Sequence, residues 1–378
     1  MTDDLPPDDL ELDIVMVRSK SLRRRLAKQQ ALPTYGETPE QTQKRRTQRI
    51  KQLAQTLGFS RLGVARAQAL PHDLAHMQAW LQAGMHGAMG WLAQDVEKRC
   101  DPQQLVPGAQ SVIALALDYN TQQPHTQHLD LQGEDRAWIS RYAWGADYHV
   151  ILERKLKALT DAVRDEFRVE LGEQFRGDLA IAGPFKAVKD FRWYVDYGPI
   201  LERTWAEKAG LGWRGKHSLL IHPQNGSFFF LACIVTSIAL DVDEPILDHC
   251  GSCTACLDAC PTQAIVEPFV VDARLCISHT TIENTSEIPD AERHLVGDML
   301  FGCDICQDVC PWNRFSSPTV EPQFSPRAGN FAPKLSDILT MDQAQFAMQF
   351  AQSAVKRRGL AGLQDNARAV LESRATKK

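Results

Sequence analysis

The sequence predicts an α+β protein: a mixed body of helices and strands, then a compact cysteine module, then a helical tail. Three observations lead there. Helical and extended stretches intermix through residues 41–245 without strict strand–helix–strand alternation, which argues against a doubly wound parallel sheet. Eight of the ten cysteines fall between Cys250 and Cys310. Beyond that run, residues 316–378 read as largely helical. A chain of 378 residues has room for two or three domains with a sizeable core.

Each segment has its own signal. Residues 1–40 read as a flexible tail, an acidic, proline-containing start giving way to the basic stretch "RSKSLRRRLAKQQ" with a short helix. In "QTQKRRTQRIKQLAQTLGF" (41–59), Ile50, Leu53 and Leu57 recur at helical spacing before Gly58. "RLGVARA" follows as a strand. "LAHMQAWLQAGMHGAMGWL" (74–92) reads as one Met-rich core helix, and "SVIALALDY" (111–119) as a strand. Residues 147–172 form a long helix ending at glycine, and 191–212 a strand running into a helix. "HSLLIHPQNGSFFFLACIVTSI" (217–238) reads as a β-hairpin with a PQNG turn. In the tail, "QAQFAMQFAQSAVKRR" (343–358) is the clearest helix.

Composition narrows the function classes. No apolar run approaches the roughly 20 residues that span a bilayer, and "MTDDLPPDDLELD" has no apolar signal region, so a cytoplasmic location is expected. The net charge of −5 argues against a generally basic nucleic-acid binder while leaving room for a local basic patch. Clustered cysteines without an export signal favour metal binding in a reducing compartment over disulfides. Cys100 and Cys233 stand apart and read as ordinary thiols, Cys233 buried in a strand.

The cysteine spacing carries the strongest chemistry. Cys250-x2-Cys253-x2-Cys256-x3-Cys260-Pro261 matches the bacterial ferredoxin run for a [4Fe–4S] cluster. A second, stretched set follows: Cys276, then Cys303, Cys306 and Cys310-Pro311. Eight ligands suffice for two cubanes. Crossed pairing gives Cys250, Cys253, Cys256 and Cys310 to one cluster and Cys260, Cys276, Cys303 and Cys306 to the other. Structural zinc is the alternative, but a zinc ribbon uses two well-separated CxxC pairs. Residues 277–302, inserted between Cys276 and Cys303, are more than a pure electron carrier needs, and suit a wall of a neighbouring active site.

"GCDICQDVCPWN" (302–313), the long loop before it, "RYAWGADYH" (141–149), "VDYGP" (195–199) and "AGLGWRGKHSLLI" (209–221) together resemble the epoxyqueuosine reductases over about residues 41–360. The resemblance implies a nitroreductase-like cobalamin-binding catalytic domain (41–245). A ferredoxin-like module with two [4Fe–4S] clusters (246–315) and a helical tail (316–378) follow. It also implies reduction of the epoxide of epoxyqueuosine to the alkene of queuosine at the wobble position of tRNA with a GUN anticodon. No short corrinoid fingerprint such as DxHxxG is present. The proton donor is expected at Asp196, whose pKa would be raised by burial against the corrin face. A helix-capping role for Asp196 is the alternative, and Asp147 is a rival acid that also suits a cap. Arg99, Ser140, Leu220 and Leu231 are expected cobalamin contacts, for Arg99 against a surface salt bridge and for the leucines against plain core packing. Ser278, Cys303 and Asp304 would form the cluster-side wall.

An anticodon loop calls for a basic rim with aromatics. Lys186, Lys189, Arg192, Arg314, Arg327, Arg357 and Arg358 are the candidates. The tail departs from the family here, since Asp365 stands before Asn366 where an arginine is usual. An external electron donor such as flavodoxin or ferredoxin is expected, and a monomer. Two other readings differ in class: a cobalamin-dependent reductase of a small molecule, and an electron carrier serving a separate enzyme. The first lacks a twin-arginine signal. The second leaves some 200 residues before the cysteines without a purpose.

Overall fold

The computed structural model describes residues 36–124, 135–171 and 191–376. The N-terminal residues 1–35, with their expected short helix, lie outside them. Along the body run α1 (Pro39–Thr56), β1 (Arg61–Arg66), α2 (Pro71–Gln82), β2 (Ser111–Asp118), β3 (Trp138–Ile139), α3 (Tyr148–Leu171), β4 (Phe191–Tyr194), α4 (Glu202–Lys208), β5 (Trp213–Arg214), β6 (Leu220–Ile221) and β7 (Phe229–Thr236). The cysteine region adds α5 (Ala255–Ala259), β8 (Ile265–Glu267), β9 (Val270–Val271), β10 (Met299–Phe301) and α6 (Ile305–Asp308). The tail holds α7 (Leu335–Thr340), α8 (Gln343–Phe350) and α9 (Gly359–Thr376).

The main sheet has the order β1-β2-β7-β4 with every neighbour antiparallel. Strand alternation sorts its side chains onto two faces. Ile113, Leu115, Ala232 and Ile234 pack in one core with Ile50 and Leu53 of α1 and Leu152, Leu156 and Leu159 of α3. Ala114, Ala116, Cys233 and Val235 pack on the other face with Trp205, Ala206 and Ala209 at α4. That face carries small residues because α4 lies close. A Cβ on Gly63 of β1 would stand 1.9 Å from the Ala209 carbonyl oxygen. α1 begins at a capping box between Thr38 and Gln41, and Arg49 pairs with Glu166 of α3 at 3.0 Å.

A third core joins segments far apart in sequence. Trp138, Trp144, Phe301, Leu335, Phe350, Val355, Leu363 and Val370 belong to one cluster. β10 pairs in parallel with β3, Met299 opposite Trp138 and Phe301 opposite Ile139. The tail therefore buries its apolar face against both the body and the inserted loop.

Three element readings are corrected. The segment 74–92 stops being α-helical at Gln82, because Gly84 (φ +69°) and Gly87 (φ +57°) take left-handed conformations. None of the α2 residues is buried, so it is not a core helix. In 217–238, β6 pairs with β5 while β7 enters the main sheet. Only a bridge between His222 and Gly226 closes the PQNG turn. The helix expected over 343–358 ends at Phe350, where Ser353 caps a separate 3₁₀ turn, Ala354–Arg358.

Candidate functional site

Two centres stand at the junction of body, cysteine region and tail. In the first, Cys250, Cys253, Cys256 and Cys310 line one cavity, with Lys216, His217, Ile221 and Trp312 completing its wall. The Lys216 ammonium donates to the carbonyls of Gly251 at 2.7 Å and Cys253 at 2.8 Å, pinning the ligand loop. The Cys250 thiol is raised by burial, while the indole N–H of Trp213 pulls it down. That N–H lies outside hydrogen-bond geometry but near enough to act on the sulfur. Cys260 and Cys276 stand near enough to Cys303 and Cys306 to act on their thiols, and Cys256 also acts on Cys306. Burial pushes Cys303 and Cys306 up, and the neighbouring Cys276 and Cys260 push both further. Thiols so placed gain most when a metal cluster takes their protons.

The second centre is built around Asp196. Its backbone is left-handed, φ +58°, in the turn between β4 and α4. It does not cap α4, which begins at Glu202 and has no side-chain cap. Instead its N–H donates to both Glu202 carboxylate oxygens, at 2.9 and 3.1 Å. Its carboxylate accepts from the Tyr148 hydroxyl at 2.8 Å and lies 3.5 Å from His149 Nε2. The Asp196 side chain is 56% exposed. The protein packed around it withholds water and pushes its pKa up, but the ion pair with His149 and the Tyr148 hydrogen bond outweigh that and hold it below the ordinary carboxylate value. In the structure the group is thus ionised, opposite to the raised pKa expected for it. Glu202 moves the other way, pushed up to about 8 by burial and by the Asp196 charge.

The proton resides on His149. Burial lowers its pKa, yet the hydrogen bond to Asp147 and the ion pair with Asp196 raise it to about 9. Asp147 Oδ1 accepts from His149 Nδ1 at 2.8 Å and from His149 N at 3.1 Å, and Lys356 stands 3.1 Å from Oδ2. Burial opposes the Asp147 charge, but these partners hold it at about 2, so it serves as the α3 cap rather than as an acid. His149 stacks between Tyr148 (4.0 Å) and Tyr197 (4.9 Å). Arg357 from the tail, paired with Glu283 of the inserted loop at 2.6 Å, lowers the Asp196 pKa further.

The remaining expected contacts are spread over several elements. Among the described residues Arg99 makes no surface salt bridge. It is buried, and its guanidinium donates to the carbonyls of Gln94, Trp91 and Gly198, tying that turn to the Asp196 loop. Leu220 is buried and Leu231 half-buried. Asp304 is fully buried and accepts from Ser140 Oγ at 2.5 Å, Arg141 N at 2.7 Å and Trp138 Nε1 at 3.2 Å. This clamp locks the body to the cysteine region. Gly302 (φ +71°) leaves it room, since a Cβ there would meet Ser140 Cβ at 2.6 Å. Ser278 is half-buried at the start of a π-helical turn, His279–Glu283.

The basic candidates separate. Lys186 and Lys189 lie outside the described residues. Arg314 and Arg357 are exposed, Arg192 and Arg327 half-buried. Arg358 is withdrawn as an RNA contact: it is buried and bonded to Asn366 and to the carbonyls of Asn284 and Ser286. Asp365 and Asn366 are interior as well. Asp365 accepts from Arg293 at 2.7 Å and Ile288 N at 2.8 Å, and Asn366 donates to the carbonyls of Thr281 and Leu300. Tyr148, His149, Glu202 and the Trp138 link to Asp304 escaped the sequence reading. Only "DYH", an acid two residues before a histidine, offered a signal.

Comparison with known proteins places the chain in a family. The model of the 4Fe-4S double cluster binding domain matches residues 249–313. The chain is thus a double-cluster iron–sulfur protein with a large α+β body. The family model "Epoxyqueuosine reductase QueG, DUF1730" matches residues 99–177. The epoxyqueuosine reductase of Cellulophaga algicola is 42% identical over 325 residues, which is 86% of this chain and 98% of the relative. That of Escherichia coli (strain K12) is 41% identical over 315 residues, 82% and 77% of the two chains. A crystal structure of epoxyqueuosine reductase with an epoxyqueuosine-modified tRNA-Tyr stem loop aligns at TM-score 0.74 and 30% identity, covering 86% of this chain and 81% of that one. The Bacillus subtilis enzyme with its catalytic aspartate loop swung out of the active site aligns equally, at TM-score 0.74, 30% identity, 86% and 81%. This chain belongs to the epoxyqueuosine reductase family.

Proposed function

We propose that the chain reduces epoxyqueuosine to queuosine at the wobble position of GUN-anticodon tRNA, the last step in making that nucleoside. The epoxide takes up two electrons and two protons; both C–O bonds break, an alkene forms and water leaves. The carrying observation is Asp196, held on a left-handed turn beside a protonated histidine, in a chain 42% identical to a relative over 98% of that relative's length.

Residues 41–245 would hold cobalamin in a nitroreductase-like fold, 246–315 the two [4Fe–4S] clusters in a ferredoxin-like fold, and 316–378 would close the site. The surface around Asp196 suits a broad apolar macrocycle: Trp91, Val150 and Tyr197 are exposed large hydrophobics beside the turn that Arg99 and His149 secure. Cobalamin would supply a low-valent cobalt nucleophile that opens the ring, with electrons fed singly by the clusters. Arg99 would act by fixing the loop, and Leu220 and Leu231 by packing. Ser140, Ser278, Cys303 and Asp304 would shape the cluster-side wall. Asp196 delivers the proton that the opened oxygen needs, and His149, oriented by Asp147, supplies it to Asp196. Arg314, Arg327 and Arg357 would meet phosphates. Flavodoxin or ferredoxin would serve as donor.

No helix among the described residues is long and apolar enough to cross a membrane, and a tRNA substrate places the reaction in the cytoplasm. A monomer is expected; a stable dimer in light scattering would count against it. The activity test is anaerobic incubation of reconstituted protein with an epoxyqueuosine-modified stem loop and reductant. Queuosine in the nucleoside digest is expected. Its absence from protein with full iron and cobalt would sink the proposal.

A further inference from the structure

His217 has a placement that the reaction at Asp196 does not use. It is 4% exposed and lines the cavity of Cys250, Cys253, Cys256 and Cys310. Its Nδ1 accepts the Leu219 N–H at 3.1 Å. Since that ring nitrogen is an acceptor, the proton sits on Nε2. Nε2 is buried and has no hydrogen-bond partner among the described residues. A buried N–H donor left unpaired is costly, so the orientation calls for an acceptor.

The backbone enforces that orientation. Gly215 and Leu219 close a tight turn through Gly215 N to Leu219 O at 2.8 Å, with Ser218 at φ +66°. Arg203 donates to the Ser218 carbonyl at 2.9 Å, bracing the turn from α4. A Cβ on Gly215 would stand 2.8 Å from His217 Cε1, so the glycine gives the ring its room. Trp213, 1% exposed, packs in one cluster with Cys250 and Cys310 and also leaves its indole N–H without a hydrogen bond among the described residues.

We propose that His217 Nε2–H, with Trp213 Nε1–H beside it, donates to the sulfurs of the cluster held by Cys250, Cys253, Cys256 and Cys310. His217 is a positioning residue that sets the reduction potential of this cluster alone. The inference rests on the double-cluster reading but not on the substrate. Donors to cluster sulfur stabilise the more negative, reduced state and raise the potential.

The test uses reconstituted full-length protein, with iron counted and each cluster's midpoint followed by EPR during a redox titration. His217→Phe should shift the reduction equilibrium of this cluster about tenfold toward the oxidised form, about 59 mV more negative for one electron. The other cluster should not move. His217→Gln, which keeps an N–H donor, should recover most of the lost potential. In wild-type protein with nitrogen-labelled histidine, pulsed EPR should detect a histidine nitrogen coupled to the reduced cluster, and His217→Gln should abolish it. An unchanged midpoint with full iron, equal shifts in Phe and Gln variants, or no such coupling would overturn the proposal. Wild-type protein that binds no second cluster would instead refute the double-cluster reading itself.

Discussion

Asp196→Asn should leave the protein folded and loaded yet nearly inactive. The turn demands φ +58°, which asparagine tolerates about as well as aspartate, whereas alanine there adds about 1–2 kcal/mol of strain. The amide oxygen can still accept from Tyr148, and the backbone bonds to Glu202 remain. What disappears is the carboxylate that relays the proton from His149. A positioned general acid contributes about 10²–10⁴ in rate, or about 3–5 kcal/mol of barrier. With His149 still protonated and 3.5 Å from that oxygen in the native site, part of the proton delivery survives. The expected loss is therefore nearer the hundredfold end. Single-turnover conversion of an epoxyqueuosine stem loop, on protein matched for iron, cobalt and RNA affinity, measures it. Activity within about threefold of wild type would remove Asp196 as the acid.

Cys310→Ser should disturb the cluster of Cys250, Cys253 and Cys256 and spare the other, as EPR of the two clusters would show; the reverse pattern would break the crossed pairing. Gly302→Ala must accommodate both φ +71° and a methyl 2.6 Å from Ser140 Cβ. A loss of about 2–5 kcal/mol in denaturant unfolding is expected, and a loss below about 1 would mean the Asp304 clamp gives way cheaply. His149 is raised above its ordinary 6.5 to about 9. Its contribution to stability is thus complete below pH 6.5 and fades as pH rises through 9. The gap between wild type and His149→Gln in thermal unfolding should be wide at pH 6.5 and small at 9.5; an equal gap at both would show that packing against Tyr148 and Tyr197, not charge, is responsible.

Local signals served well where chemistry or periodicity is local. The stripe of Ile50, Leu53 and Leu57, the strand 111–118 and the cysteine spacing each name their own structure. Failures came where distant partners decide. Residues 217–238 look like a hairpin, but β7 finds β2 and β4, and β6 finds β5. The Met-rich stretch 74–92 reads as core from hydrophobicity, yet Gly84 and Gly87 break it and it lies at the surface, where Trp80 bonds the Val271 carbonyl. The site shows the same division. Asp196 was visible as a residue, but its ionisation is set by His149, Tyr148 and the tail's Arg357, which only the fold assembles. Likewise Arg358 looks like a surface cation until its bonds to Asn366 and the inserted loop are seen.

The most direct measurement is an anaerobic electron titration of reconstituted protein against an epoxyqueuosine-modified stem loop, with metals counted on the same sample. The account predicts roughly eight irons and one cobalt per chain, with two electrons consumed per queuosine formed. Full iron with no cobalt and no queuosine would contradict it, and would mean that the electrons leave this chain for another enzyme.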